Sequence, residues 1–168
     1  MSPDQLPPDQ SPADIRTAGE RKADALARLR ARHAETWVAS ASPAGAPHLV
    51  PLSLAWDGER VILSVDQRSA TARNVTGSRR ARLALGETGD VVMIDAELAE
   101  SVRLADAPPG LAQAFADQAD WDPRRAAGLP ASDSGYVFLC LRPERVQVWR
   151  HVGEHPGRTI MREGRWLV

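Results

Sequence analysis

The chain has 168 residues, 43% of them hydrophobic, and a formal net charge of −1 at pH 7, which is length enough to bury a single core without disulfides or a structural metal. A charge so close to zero supplies no global basic field, so nucleic-acid binding is not expected, and the local cluster Arg79-Arg80-Arg82 reads as the solvated start of a strand. No basic segment precedes an apolar one at the N-terminus and no apolar run could span a bilayer, so a cytoplasmic protein without membrane contact is expected.

Residues 1–11 carry Pro3, Pro7 and Pro8 among polar neighbours and are expected to form a disordered tail. A helix is predicted within residues 12–33. Ser11-Pro12, or Thr17 with Glu20 as a capping box, starts it, and Ile15, Leu26 and Leu29 fall on the face that would cover one end of a barrel. From Thr36 the hydrophobic period shortens to two, giving strands Thr36–Ala41 and Pro47–Trp56 about the turn Ser42-Pro43-Ala44-Gly45. Val50, Leu52, Leu54 and Trp56 point one way, with Leu49, Pro51 and Ser53 opposite. Pro51 lacks an N–H, which marks an edge or a bulge and leaves backbone available to a ligand.

Asp57-Gly58 turns the chain into Arg60–Val65, followed by a short helix Ser69–Gly77 and strands Arg82–Leu85 and Asp90–Ala99, which Ser101–Asp106 would extend. Pro108-Pro109 opens a helical insert over residues 108–122, with Leu111, Ala114 and Phe115 on one face, ending before Trp121-Asp122-Pro123. Strands Gly135–Leu141 and Arg145–His151 follow. Within residues 152–168 a hairpin about Glu163-Gly164 joins Thr159–Met161 to Arg165–Leu167. The lone Cys140 sits in an apolar run and reads as core, and Trp37, Trp56, Trp121 and Trp166 read as packing residues. This order predicts a mainly β protein with α decoration. An antiparallel barrel over residues 36–151 fits better than alternating βαβ units, with residues 12–168 forming one domain.

The chemistry concentrates between Ala46 and Leu85. A hairpin delivers Ser69, Thr71, Arg73 and Asn74 to the start of a helix, where unpaired amides and added donors converge into a pocket for an anion, most simply a phosphate. The plainer reading makes Ser69 an N-cap and Asn74 a solvated polar residue. Nothing resembles a Ser-His-Asp order, a Cys-His pair, a Walker loop or HExxH, so no catalytic side chain and no metal ligand is assigned.

Gly45-Ala46-Pro47-His48-Leu49-Val50-Pro51 and Ser69-Ala70-Thr71-Ala72-Arg73-Asn74-Val75 resemble the GxPHxxPxxF and SxKxxNL segments of the pyridoxamine 5'-phosphate oxidase-like family. The resemblance covers about Thr36 to Arg150 and implies an FMN-binding split β-barrel, antiparallel and Greek-key-like, that is homodimeric. It implies a flavin or deazaflavin ring beside His48, Val50, Pro51 and Ser53, and a phosphate beside Val65, Ser69, Thr71, Arg73 and Asn74. Trp149 and Arg150 would reach the cofactor of the neighbouring subunit, or Trp149 would be interface core.

Thr71 stands where many relatives have lysine, so phosphate affinity is lower or Arg68 and Arg73 supply the charge. His48 is either a half-exposed polar residue or a proton donor to the ring. Arginine nearly replaces lysine, with Lys22 the single exception, and alanine is abundant. This bias toward GC-rich coding favours F420 as cofactor, with FMN as the alternative. Haem held by His151 or His155 comes third. The implied activity is hydride transfer between F420 or FMN and a small-molecule substrate; the alternative is a non-catalytic haem- or flavin-binding protein. Oxidation of pyridoxamine phosphate itself is disfavoured, because Arg158, Arg162 and Arg165 only loosely match an Arg-rich substrate-phosphate signature.

Overall fold

A computed structural model describes residues 15–119, 121–125, 135–150 and 152–168. The predicted tail, the Ser11-Pro12 cap and His151 lie outside them. Helix α1 spans Ala18–Arg30 behind the capping box, with Thr17 Oγ1 accepting from the Glu20 amide and the Glu20 carboxylate accepting from the Thr17 amide. Strands β1 (Glu35–Ala41), β2 (Pro47–Trp56) and β3 (Val61–Asp66) lead to α2 (Ala70–Ser78). Then come β4 (Arg80–Glu87), β5 (Asp90–Arg103), α3 (Pro109–Ala119), β6 (Tyr136–Trp149), β7 (Thr159–Arg162) and β8 (Arg165–Trp166).

The sheet runs β3-β2-β1-β4-β5-β6-β7-β8, all antiparallel, and closes by pairing β3 with β6. Six strands thus form a barrel, and β7 and β8 continue from the far half of β6. Closure removes free edges from most of the sheet. Alternating residues fill the interior: Val38, Leu54, Val61, Leu63, Leu83, Ile94, Leu139 and Val148 are all 0% exposed.

Two helices close opposite ends. Ala25 and Leu29 of α1 and Ala72 and Val75 of α2 join the interior cluster. Arg28 of α1 reaches the Asp90 carbonyl where β5 begins, whereas Leu98, in the far half of β5, bonds the Arg79 carbonyl just after α2. The third helix covers an outer face. Phe115, 0% exposed, meets Phe138 and Trp121 edge-on, above Ala55, Ile62 and Cys140, so the cysteine is core as read.

Where the sequence suggests two strands after residue 135, the barrel has one of 14 residues. Asp95 faces Arg145 while Ala96 faces Pro143, so Glu144 is bulged out and the strand continues. Interior positions change from Leu139 and Leu141 to Val146 and Val148 across this bulge, and Pro143 occupies a place where a missing ladder donor is tolerated. A second shift between Leu98 and Glu100 lets β5 run unbroken to Arg103, fusing the two segments predicted there. A 3₁₀ turn over Val152–Gly157, not evident in the sequence, follows β6.

This turn carries Glu154, 1% exposed. Its Oε1 accepts from the amide and Nε of Arg16, both at 3.0 Å, and its Oε2 accepts from Arg16 Nη2 at 2.8 Å and the Arg150 amide at 2.6 Å. The Arg16 hydrogen bonds hold the carboxyl down at about 2. Asp24 and Asp90 complete the cluster around Arg16, and Arg28 and Arg150 both pair with Asp90.

Candidate functional site

Strands β2 and β3 pair only through Leu54–Leu63, Ala55–Ile62 and Trp56–Val61. Beyond Leu54 they separate: Pro47 to Ser53 stay with β1, while Ser64, Val65 and Asp66 follow β6. Among the described residues, the backbone groups of β2 facing β3 therefore have no ladder partner over this stretch. Between the strands lies a cleft of about 650 Å³, lined by β2, by Ser64 to Asp66, by the start of α2, and by Trp121 and Tyr136.

The start of α2 closes one side. Ser69 is the N-cap, its Oγ accepting from the Ala72 amide at 3.1 Å, and helix geometry leaves the amides of Ala70 and Thr71 without an intrahelical acceptor. Both residues line the cleft. Thr71, 2% exposed, places Oγ1 at 3.1 Å from His48 Nε2, and the imidazole tautomer decides which of the two donates. Trp121 and Tyr136 stand edge to face at 5.4 Å and form an aromatic wall of the cleft. Ser64 also lines the cleft, 7% exposed, with its Oγ buried and without a hydrogen-bond partner. A buried hydroxyl left unpaired costs roughly 1–3 kcal/mol, which a ligand's polar group would recover.

Of the residues predicted from sequence, His48, Val50, Pro51, Ser53, Val65, Ser69 and Thr71 come together in the cleft. Arg73 and Asn74 are not among its lining. Asn74 is buried, not solvated, and donates to Ser40 Oγ at 3.3 Å. Arg73 is exposed and donates to the Arg68 carbonyl. Arg68 itself points outward, 81% exposed, paired with Asp66 at 2.9 Å. The Arg68 side-chain and backbone hydrogen bonds keep the Asp66 carboxyl at about 2.

Trp149 and Arg150 lie at the other end of β6. Trp149 meets His155 edge-on at 5.9 Å and lies under the Arg158 guanidinium, and Arg150 pairs with Asp90. Sequence reasoning did not assign Ser64, Trp121 or Tyr136 to the site. Ser64 had a signal, as the one polar residue inside the apolar run Val61–Val65. Trp121 and Tyr136 had none, because the segment after α3 and the pairing of β6 with β3 bring them to the cleft across long separations.

The expectation that Trp37 is a packing residue fails: it is 51% exposed, and with Leu49 at 59% it borders an open hollow of about 360 Å³ floored by Ala39, Ala84 and Met93. Pro51, Trp37, Ala84, Met93 and Gln147 form one cross-strand row on the barrel's outer face. Pro51 thus belongs both to this row and to the cleft.

A family model described as pyridoxamine 5'-phosphate oxidase matches residues 22–150. Among curated proteins none matches. Solved structures with a similar fold include one named F420 reductase, at 17% identity and a TM-score of 0.57 over 74% of this chain and 96% of that one. General stress protein 26 from Bacillus anthracis is similar at 12% identity and a TM-score of 0.59, over 76% of this chain and 92% of that one. A heme-binding protein from Mycobacterium smegmatis shares 21% identity at a TM-score of 0.56, over 82% of this chain and 56% of that one. No helix among the described residues is long and apolar enough to cross a membrane.

Proposed function

The chain belongs to the pyridoxamine 5'-phosphate oxidase family, whose split-barrel fold it has, and from that premise we propose that the cleft between β2 and β3 binds a phosphate-bearing redox cofactor. F420 is the first choice and FMN the alternative, in an oxidoreductase acting on a small organic molecule. The observation that carries this reading is the unpartnered Ser64 hydroxyl, buried in the same cleft as the free first-turn amides of α2. When bound, the cofactor supplies the two-electron chemistry that no side chain here provides.

The chain's own residues bind and orient. The amides of Ala70 and Thr71 receive the phosphate, the unpaired β2 backbone from His48 to Ser53 reads the polar edge of the ring, and Trp121 and Tyr136 exclude water from its flank. With Arg68 and Arg73 turned away, the site suits the single charge of a phosphodiester better than the double charge of a terminal phosphate.

The exposed outer face around Trp37 and Leu49 is the proposed seat of a second copy of the chain, which makes the protein a homodimer. Trp149 pairs with Val91 on the same outer face, where it would face the partner. Sedimentation at micromolar concentration giving only the 18.2 kDa species would remove the shared-face arrangement.

Parallel titrations of F420 and FMN into the purified protein test the function. F420 binds more tightly, and Thr71→Lys narrows the difference by about 1–2 kcal/mol, since an ammonium rewards the higher charge. Tighter FMN binding by the unmodified chain abandons the deazaflavin order, and binding of neither abandons the cleft. A haem spectrum in the purified protein would instead support the carrier reading suggested by the Mycobacterium smegmatis relative, with His155 or His151 as the residue that would hold the haem.

A further inference from the structure

Resting on the reading of the cleft as a phosphate site, we propose that His48 supplies the charge for the anion, so that a phosphate-bearing ligand binds together with one proton. An anion brought into a half-buried cleft needs compensation, since partial charges on helix amides amount to only about half an elementary charge. Among the described residues that line the cleft there is no lysine or arginine. The two arginines nearest in sequence are committed elsewhere: Arg68 is paired with Asp66, and Arg73 donates to the Arg68 carbonyl. Asp66, the one carboxylate among the described lining residues, is held ionised at neutral pH by Arg68 and works against an anion.

His48 is what remains. Its Nε2 lies 3.1 Å from Thr71 Oγ1, at the first turn of α2. The other groups beside it are neutral: Ser40 opposite it on β1, and Asn74, which α2 presents to Ser40. An imidazole titrates near neutrality, so an incoming anion tips it to the cation. In the cation Nε2 carries a proton and donates to Thr71 Oγ1, which frees the threonine hydroxyl to donate into the cleft. The proton comes from solvent and no covalent bond changes. Ser64, independently, offers an unused buried hydroxyl to the same ligand. Thr71 and His48 thus act as a conditional cation where lysine would be a permanent one.

Calorimetric titration at pH 8 in two buffers of different ionisation enthalpy measures the proton count directly. FMN against riboflavin, and F420 against its phosphate-free chromophore, separate the phosphate from the ring. The phosphate-bearing partner of each pair takes up about one proton and the phosphate-free partner about none. Because a phosphodiester does not itself titrate in this range, F420 affinity rises by up to tenfold as the pH is lowered from 8 to 7. His48→Gln abolishes both the uptake and the pH dependence. If that variant does not fold, the imidazole resonances of the intact protein, followed through a pH titration with and without ligand, give the same answer by an upward displacement of one ring. Binding without proton uptake, or uptake that survives His48→Gln, overturns the proposal while leaving the phosphate site standing. Absence of binding by either phosphate-bearing ligand at any pH overturns both.

Discussion

The two ends of β6 solve the problem of buried polarity in opposite ways. At the Trp149 end the Glu154 carboxylate accepts four hydrogen bonds, three from Arg16 and one from the Arg150 amide, and is 1% exposed. At the Tyr136 end the Ser64 hydroxyl is equally enclosed and accepts or donates nothing. The first arrangement ties the start of α1 to the turn after β6 and leaves the Glu154 carboxylate no capacity for a ligand. The second leaves capacity unused, and does so where two strands part and a helix begins.

The contrast breaks most sharply at Glu154. Glu154→Ala leaves Arg16 buried without its main partner and is expected to cost about 3–5 kcal/mol in urea denaturation, with affinity for cofactor in the surviving folded protein unchanged. A cost below 1 kcal/mol would show that the cluster is not a strut. The same carboxyl, lowered from 4.5 to about 2 by Arg16, contributes stability that is complete above about pH 4.5 and is lost as the pH falls toward 2. An acid-unfolding midpoint that does not move in Glu154→Gln would contradict this.

Ser64→Val sharpens the other half. Removing a buried hydroxyl with no partner raises the stability of the ligand-free protein by about 1 kcal/mol and weakens cofactor binding by a similar amount. Loss of stability on this substitution would mean that the hydroxyl is already satisfied. The smallest effect is expected for Arg73→Ala: an exposed side chain with one bond to a carbonyl changes stability and cofactor affinity by less than about 0.5 kcal/mol. A tenfold loss of affinity would return Arg73 to the phosphate site.

Much of this was legible in the residues. The capping box Thr17–Glu20, β2 from Pro47 to Trp56 and the Ser69 cap stand where local patterns put them, because each rests on neighbours within a few positions. The half-paired strand around Pro51 also agrees, since a residue without an N–H is tolerated where one side of the ladder is absent. Illegible were the features set across long separations. Glu144 falls between the two strands that the sequence suggests, and only pairing with β5 reveals a bulge in a continuous strand. Arg73 sits beside the cleft in sequence yet turns outward, because on α2 its position faces solvent while Thr71 and Asn74 face the barrel. Trp37 looks like core by residue type, but strand parity places it outside.

Closure of the barrel through β3 and β6 has a kinetic consequence. β1 with β2, and β4 with β5, are hairpins joined by short turns, whereas the partners Leu63 and Leu139 meet only after α2, β4, β5 and α3 have been laid down between them. The loop entropy of that contact must be offset before it contributes, so it is expected to form after the two local hairpins and past the folding barrier. Weakening the seam would then speed unfolding and leave the refolding rate nearly unchanged. Since β3 also forms one wall of the cleft, a bound ligand would grip a strand of that seam and would be expected to lengthen the lifetime of the native state.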